Sequence, residues 1–181
     1  ENLTNVVAGK TAAGATVVFA GGATKLFKLD TGDLSLDSVV KASRTITNVA
    51  KTSQVVTITT SVAHGFSVGD SITVAATTNT ALNGTFNVET VTSTTFTYNQ
   101  AGGNIGSTAD TGTVSFQYVT PLNQRWRFTQ FGNVLIAANG GNRLQGYNLN
   151  NSSTFQDLAS DAPQSRYVTV VRDFVVSAYV N

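Results

Sequence analysis

The chain has no cysteine and no methionine, one histidine, one tryptophan and two prolines in 181 residues. Without thiols there is neither a disulfide framework nor a thiolate metal site. A single histidine and 10 acidic residues supply too few ligands in any one stretch for a three- or four-ligand metal centre, so neither a metal nor another cofactor is expected. Charge is scarce as well. The 11 basic side chains leave a net charge of +1, which carries no electrostatic footprint of a nucleic-acid or membrane-surface binder. No apolar run approaches the ~20 residues of a membrane-spanning helix, and the polar start Glu1–Asn5 lacks the pattern of a signal peptide. The missing methionine at position 1 reads as a processed chain or a piece of a longer one. So does the close on Ala178-Tyr179-Val180-Asn181 within an apolar strand pattern.

Helical periodicity is also missing. The nearest approach is Leu34–Val40, which predicts a short helical turn or a loop. What the chain does have is threonine, valine and 16 glycines, a composition that suits pleated strands joined by tight turns. One pattern occurs twice. Val17-Val18-Phe19-Ala20-Gly21-Gly22 leads into Thr24–Leu29, and Val134–Ala138 followed by Asn139-Gly140-Gly141 leads into Asn142–Leu149. Each is an apolar strand, a glycine-rich turn and a second strand ending on leucine. Tyr167–Ser177 opens the same way. The step from Val134 to Val175 is about 40 residues, the length of one propeller blade.

Between the two copies, the texture changes. Val56/Ile58, Ile72/Val74, Phe86/Val88, Phe96/Tyr98 and Val114/Phe116 alternate with polar residues, as half-buried strands do. Turn signals at His64-Gly65, Val68-Gly69-Asp70, Leu82-Asn83-Gly84 and Ala101–Asn104 separate them. Five or six short strands here predict a small barrel or sandwich inserted into the repeat. Its removal leaves the copies about 45 residues apart, again near one blade. The expected organisation is therefore all-β. Residues 1–48 form a first blade segment of a partial β-propeller, 49–117 an inserted small β-barrel or sandwich domain, and 118–181 a second blade and the start of a third.

The flanking regions resemble a known family. Trp126-Arg127-Phe128-Thr129-Gln130-Phe131-Gly132-Asn133-Val134, the Phe155–Leu158 anchor, Ala162-Pro163 and Arg166–Val176 are similar to the blade signature of tail nozzles and packaged-DNA stabilisation (tail hub) proteins of short-tailed bacteriophages. The insert, with His64-Gly65-Phe66, Gly69-Asp70, Leu82–Phe86 and Thr94–Tyr98, resembles a small β module recurrent in phage virion proteins. The resemblance implies a structural virion protein of the phage tail and a homo-oligomeric ring that closes or conducts the DNA exit channel. The implied neighbours are a portal-proximal adaptor and fibres, with non-specific DNA contact in the channel. The chain has too few blades to close a propeller by itself. The competing reading is a receptor- or glycan-binding adhesin module with the insert as its head, and a depolymerase comes third.

Motifs that could carry chemistry are few. One histidine in a turn gives no Ser-His-Asp arrangement; His64 is expected to shape the turn before Phe66. Asp30-Thr31-Gly32 has the residues of the aspartic-protease triplet, but that chemistry needs two carboxylates sharing a proton. A strand-closing turn is expected instead. Val68-Gly69-Asp70 has one carboxylate where calcium wants six or more oxygens. Gly140–Gly146 lacks the Lys-Ser/Thr of a phosphate loop. The sequons at Asn2, Asn83 and Asn151 arise readily in a chain so rich in Asn, Ser and Thr. No glycosidase-like carboxylate pair stands out, and the chain is expected not to be an enzyme. Arg125, Arg127, Arg143, Arg166 and Arg172 gather in the last third. Of these, Arg125, Arg127 and Arg143 are the candidates for a channel or interface surface touching phosphates or acidic subunit faces. Trp126, Tyr98 and Tyr118 compete between a sugar-stacking row and the core, and the alternation of Trp126 with Phe128 favours core for the tryptophan.

Overall fold

The computed structural model of the protein describes residues 2–180. The chain is all-β, with one 3-10 turn at Thr80–Leu82, and falls into two compact units: residues 1–40 with 118–181, and 41–117.

The first unit contains two four-stranded antiparallel meanders. One is β1 (Asn5–Lys10), β2 (Thr16–Gly21), β3 (Leu26–Leu29) and β4 (Leu36–Ser38), side by side in chain order. The sequence reading assigned no strand to Asn5–Lys10 or Leu36–Ser38; the helical turn or loop expected at Leu34–Val40 is instead a short edge strand. Both are outer strands of their sheet. Their apolar residues therefore lack a period that burial would impose, and β4 is exposed throughout. Asp30 closes the β3–β4 turn, its Oδ1 accepting the Gly32 N–H at 2.7 Å, an Asx turn.

The second meander is β13 (Arg127–Phe131), β14 (Val134–Ala138), β15 (Gln145–Asn148) and β16 (Gln156–Asp157). Gly132, at φ 55°, makes the two-residue β13–β14 turn that a right-twisted hairpin requires. The segment expected to anchor through Phe155 and Leu158 contains β16. Of its two expected anchors Phe155 is fully buried, whereas Leu158 stays 39% exposed. A last hairpin, β17 (Ser165–Val171) with β18 (Phe174–Val180), completes the unit.

Strand β14 is apolar on both faces because it is covered on both. Leu135 and Ala137 are buried on one side; Ile136 and Ala138 join Leu144, Ala162 and Val168 on the other, with Val175 of β18 packed against them. Phe19 of β2 meets the rings of Tyr147 and Phe155 edge-on, at 4.9 and 5.7 Å between centroids, so the two meanders share a core. Trp126 fastens them. Its indole Nε1 donates to Gly22 O at 2.8 Å, its carbonyl accepts from Asn5 Nδ2 at 2.8 Å, and Tyr118 packs edge-on against its ring. Gln130 adds a second tie: its amide takes the Lys10 N–H at 2.8 Å and donates to the Lys10 carbonyl at 2.7 Å. This pairs the outer edge of β1, which would otherwise present open backbone groups.

The second unit has eight strands rather than five or six: β5 (Arg44–Thr52), β6 (Val55–Thr60), β7 (Ser71–Ala75), β8 (Gly84–Asn87), β9 (Thr90–Val91), β10 (Thr95–Asn99), β11 (Ile105–Ala109) and β12 (Thr113–Gln117). Their order is β8-β7-β12-β5-β6-β10-β9, with β11 also on β5. The path is open, so among the described residues no barrel closes. Instead β5 spans two half-sheets, its start paired with β12 and the rest with β11. The halves fold over one another: Phe86 of β8 stacks on Tyr98 of β10 at 4.1 Å, and the Tyr98 hydroxyl donates to Leu82 O. The boundary read after Asn48 lies after Val40. Residues 44–48 are the head of β5, and Ile46 is wholly buried in this second core.

The tightest joint of the first unit is steric. A Cβ on Gly21 would lie 2.3 Å from Trp126 Cδ1 and 2.7 Å from Trp126 Cβ, closer than any real contact. Gly21→Ala is therefore expected to lower stability by about 1–3 kcal/mol or more through overpacking. Urea unfolding followed by the fluorescence of Trp126, the only tryptophan, measures this in the first unit alone.

Candidate functional site

The arginines expected at an interface part company in the structure. Arg125 precedes β13 and is exposed. Arg143, just before β15, is drawn to Asp157 of β16, with a guanidinium–carboxylate separation of 3.7 Å. Arg127 lies over the ring of Tyr167 at 4.7 Å, where it is joined by Arg166, 5.5 Å from the same ring and 5.3 Å from the ring of Tyr179. Arg172 occupies the β17–β18 turn at φ 54°. The grouping that forms is thus Arg127 with Arg166, held by β13, β17 and two tyrosines, while Arg125 and Arg143 stand apart from it.

Beside Arg166 is a cleft of about 120 Å³ lined by Pro121, Gln124, Gly140, Arg166 and Tyr179. Its walls are fixed by the glycine-rich turn after β14. Buried Asn139 accepts the N–H groups of Gly141 and Asn142 at 3.0 and 2.9 Å and donates to Asn142 Oδ1, which in turn accepts from Val119 N. Gly140, at φ 78°, donates its N–H to Ser165 O. A Cβ on Gly141 would sit 2.0 Å from Val119 O, so this turn admits only glycine there. The segment 119–124 is thereby strapped against the turn, and the Gln124 N–H closes on Pro121 O at 3.0 Å. The Gly140–Gly146 motif is a hairpin turn, with no helix following to hold a phosphate.

The remaining motifs resolve into structure. Tyr98, Tyr118 and Trp126 are all buried to 1% exposure or less and make no sugar-stacking row. Burial pushes the phenols of Tyr98 and Tyr147 up, so both stay neutral. Asp30 and Asp33 cap one exposed turn, where hydrogen bonds from Ser35 hold the Asp33 carboxyl below its usual range. No group of three or more His, Cys, Asp or Glu able to hold a metal occurs among the described residues. No helix among them is long and apolar enough to cross a membrane.

His64 is buried in the second unit, stacked on Phe66 and edge-on to Phe96. Nδ1 accepts the Phe66 N–H at 2.9 Å and therefore carries no proton, leaving Nε2 to donate to Thr95 O at 3.3 Å. Protonation would place a second hydrogen against Phe66 N–H. Desolvation, and to a lesser degree the charges of Lys41 and Arg44, hold the imidazole pKa below its usual value. Asp70, the carboxylate of the Gly69-Asp70 turn, is bound to buried Lys41 at 2.7 Å and also accepts from Ser67 N. Sequence reading missed this pair because its members are 29 positions apart. It equally missed Tyr179, Gln124 and Pro121 as neighbours of Arg166, which three separate segments bring together.

Comparison with known proteins gives little kinship. No family model and no curated protein matches the chain. Among solved structures, it is similar to the phage phi92 endosialidase at 13% identity and a TM-score of 0.33, over 95% of this chain; the chain spans about a third of that protein.

Two expectations follow. The contribution of neutral His64 to the stability of the second unit is fully present above the unfolded-state histidine pKa of about 6.5. It declines as pH falls from there through the lower folded-state value, because the unfolded chain takes up the proton first. Amide exchange at Ile58 and Phe96, corrected for intrinsic rates, should show protection falling between pH 7.5 and 5.5, and His64→Asn should flatten that fall. Lys41→Met takes the ammonium away from the buried Asp70 carboxylate, at a cost of about 3–5 kcal/mol. Adding Asp70→Leu should recover a large part of it in denaturant unfolding.

Proposed function

We propose that this chain is a structural protein of a bacteriophage tail, a nozzle or hub component that forms a homo-oligomeric ring around the DNA exit channel. The observation that carries this reading is the pair of four-stranded meanders, β1–β4 and β13–β16, each laid out in chain order as propeller blades are, with a third hairpin following. The similarity of Trp126–Val134 and Arg166–Val176 to the blade signature of that family supports it. On this reading the work is mechanical: no residue carries catalysis, no cofactor is required, and the partners are other copies and other tail proteins. On this reading exposed Arg125 and half-buried Arg127 and Arg143 are the side chains that meet an acidic subunit face or DNA phosphates, Arg143 by exchanging its Asp157 partner.

A second reading has its own observation. The insert is a compact unit whose first and last strands, β5 and β12, are paired neighbours, with Arg44 opposite Val114. A unit built this way suits a binding head, such as a receptor or glycan adhesin. Electron microscopy of the native protein, alone and in its particle, separates the two. A closed ring on the tail axis is the expected result. Monomers, or trimeric spikes at the particle periphery, would overturn the nozzle reading in favour of the adhesin.

A further inference from the structure

We propose that copies of this chain associate head to tail, the open face of the β17–β18 hairpin on one copy packing against the open face of the β1–β4 meander on the next. The chain already makes this contact twice. The strands Val17–Gly21, Val134–Ala138 and Phe174–Ala178 correspond position for position. The β13–β14 and β17–β18 hairpins share one register: Phe131 pairs Val134 and Thr129 pairs Ile136, as Val171 pairs Phe174 and Thr169 pairs Val176. Gly132 and Arg172 even turn at the same φ, 55° and 54°. Alternate residues of each strand face opposite ways. Phe19, Ile136 and Val176 mark the front; Val18, Leu135 and Val175 mark the back. Phe19 on the front of the first meander meets Tyr147, which is paired with Leu135 on the back of the second. Ile136 and Ala138 on the front of the second, with Val134, pack with Val168 and Val175 on the back of the hairpin. Front on back is the joint that repeats.

Among the described residues the joint is unmet at both ends. The front of the hairpin exposes Val171, Val176 and, at 72%, Phe174, and none of the hairpin's own side chains on that face is charged. The back of the first meander exposes Leu36 and, at 57%, Val6, with Val18, Phe27 and Leu29 half-buried beside them; strand pairing sets all five on one face. Stacked repeats are soluble alone when their end units turn a polar face outward, and here both ends are apolar. The repeat itself names the occupant. Val6 holds the place in its hairpin that Val168 holds in the last one, and Phe174 holds the place of Val134. Val134 and Val168 belong to one internal cluster, so the back of a second copy brings Val6 to Phe174 in the same way. Such a contact joins unlike faces and is heterologous: it continues from copy to copy and ends where a ring closes. The proposal rests on the ring reading for that closure alone; the contact follows from the repeat.

The test is sedimentation velocity of the full chain. Between about 1 and 100 μM the sedimentation coefficient should rise with concentration. Phe174→Glu blocks the front and Val6→Glu the back, each by forcing a lone charge into the joint. Both positions are exposed in the single chain, so neither substitution disturbs its core. Each variant alone should associate about tenfold more weakly or not at all. Mixed in equal amounts, the two variants keep one intact front and one intact back between them, and should form a dimer that grows no further. That recovery also shows that both variants are folded. A parent chain that stays monomeric overturns the proposal. So does undiminished association of Phe174→Glu or Val6→Glu, or a mixture that remains monomeric. The nozzle reading fails separately: a particle without a ring on its tail axis would retire it, and the dimer formed by the mixture would still establish the contact.

Discussion

The first unit depends on an indole laid against glycine backbone. Trp126 occupies the space where Gly21 would carry a side chain, and its N–H reaches Gly22 O. The two partners are 104 positions apart, so the contact brings the meanders of the two ends of the chain together. It combines the largest side chain of the core with the smallest residue, and a satisfied donor with an otherwise solvent-seeking carbonyl. Around it, Tyr118 packs edge-on and Asn5 binds the tryptophan's own carbonyl. Neither meander buries its face alone: Phe19 needs Tyr147 and Phe155 from the other. Such long-range closure makes folding of this unit slow relative to one built on local contacts.

How much of this was legible follows from where burial acts. The strands buried on at least one face, β2, β14 and the alternating strands of the insert, announce themselves, because burial imposes period two or a continuous apolar run on the sequence. Some edge strands do not: β1, β4, β9 and β11 bury at most one residue each, and no strand was assigned to them. Strand β5 was missed whole for another reason, although Ile46 and Val49 are buried. Its head at Arg44–Thr47 is polar except for Ile46, and only pairing with β12 reveals that it belongs to the insert. Turns were readable where one residue has one job, as at Asp30-Thr31-Gly32 or Asn139-Gly140-Gly141.

The candidate cleft was not legible, and the reason is general. Arg166 is one of five arginines in the last third, and spacing along a strand says only which face each occupies. Arg125 and Arg127 share a parity, yet Arg125 precedes the strand and only Arg127 reaches Tyr167. What distinguishes Arg166 is an unmet N–H and a cavity made by segments near 121, 140 and 179. No local pattern encodes that meeting.

Insertion of a whole β unit between two halves of another is tolerated because each unit keeps its two ends close to itself. In the first unit, Val39 donates its N–H to Leu26 O and accepts from Phe155 N, while Tyr118 donates to Thr24 O. The outgoing and returning chain are therefore both tied to the start of β3. In the second, the outgoing and returning strands are β5 and β12, hydrogen-bonded neighbours. The entropy of spanning the insert is small, because loop-closure cost rises only as the logarithm of length. The buried Lys41–Asp70 pair sits at the first residue of the insert. There it anchors the incoming chain to the turn before β7, and a geometry that exacting fixes where the second fold begins.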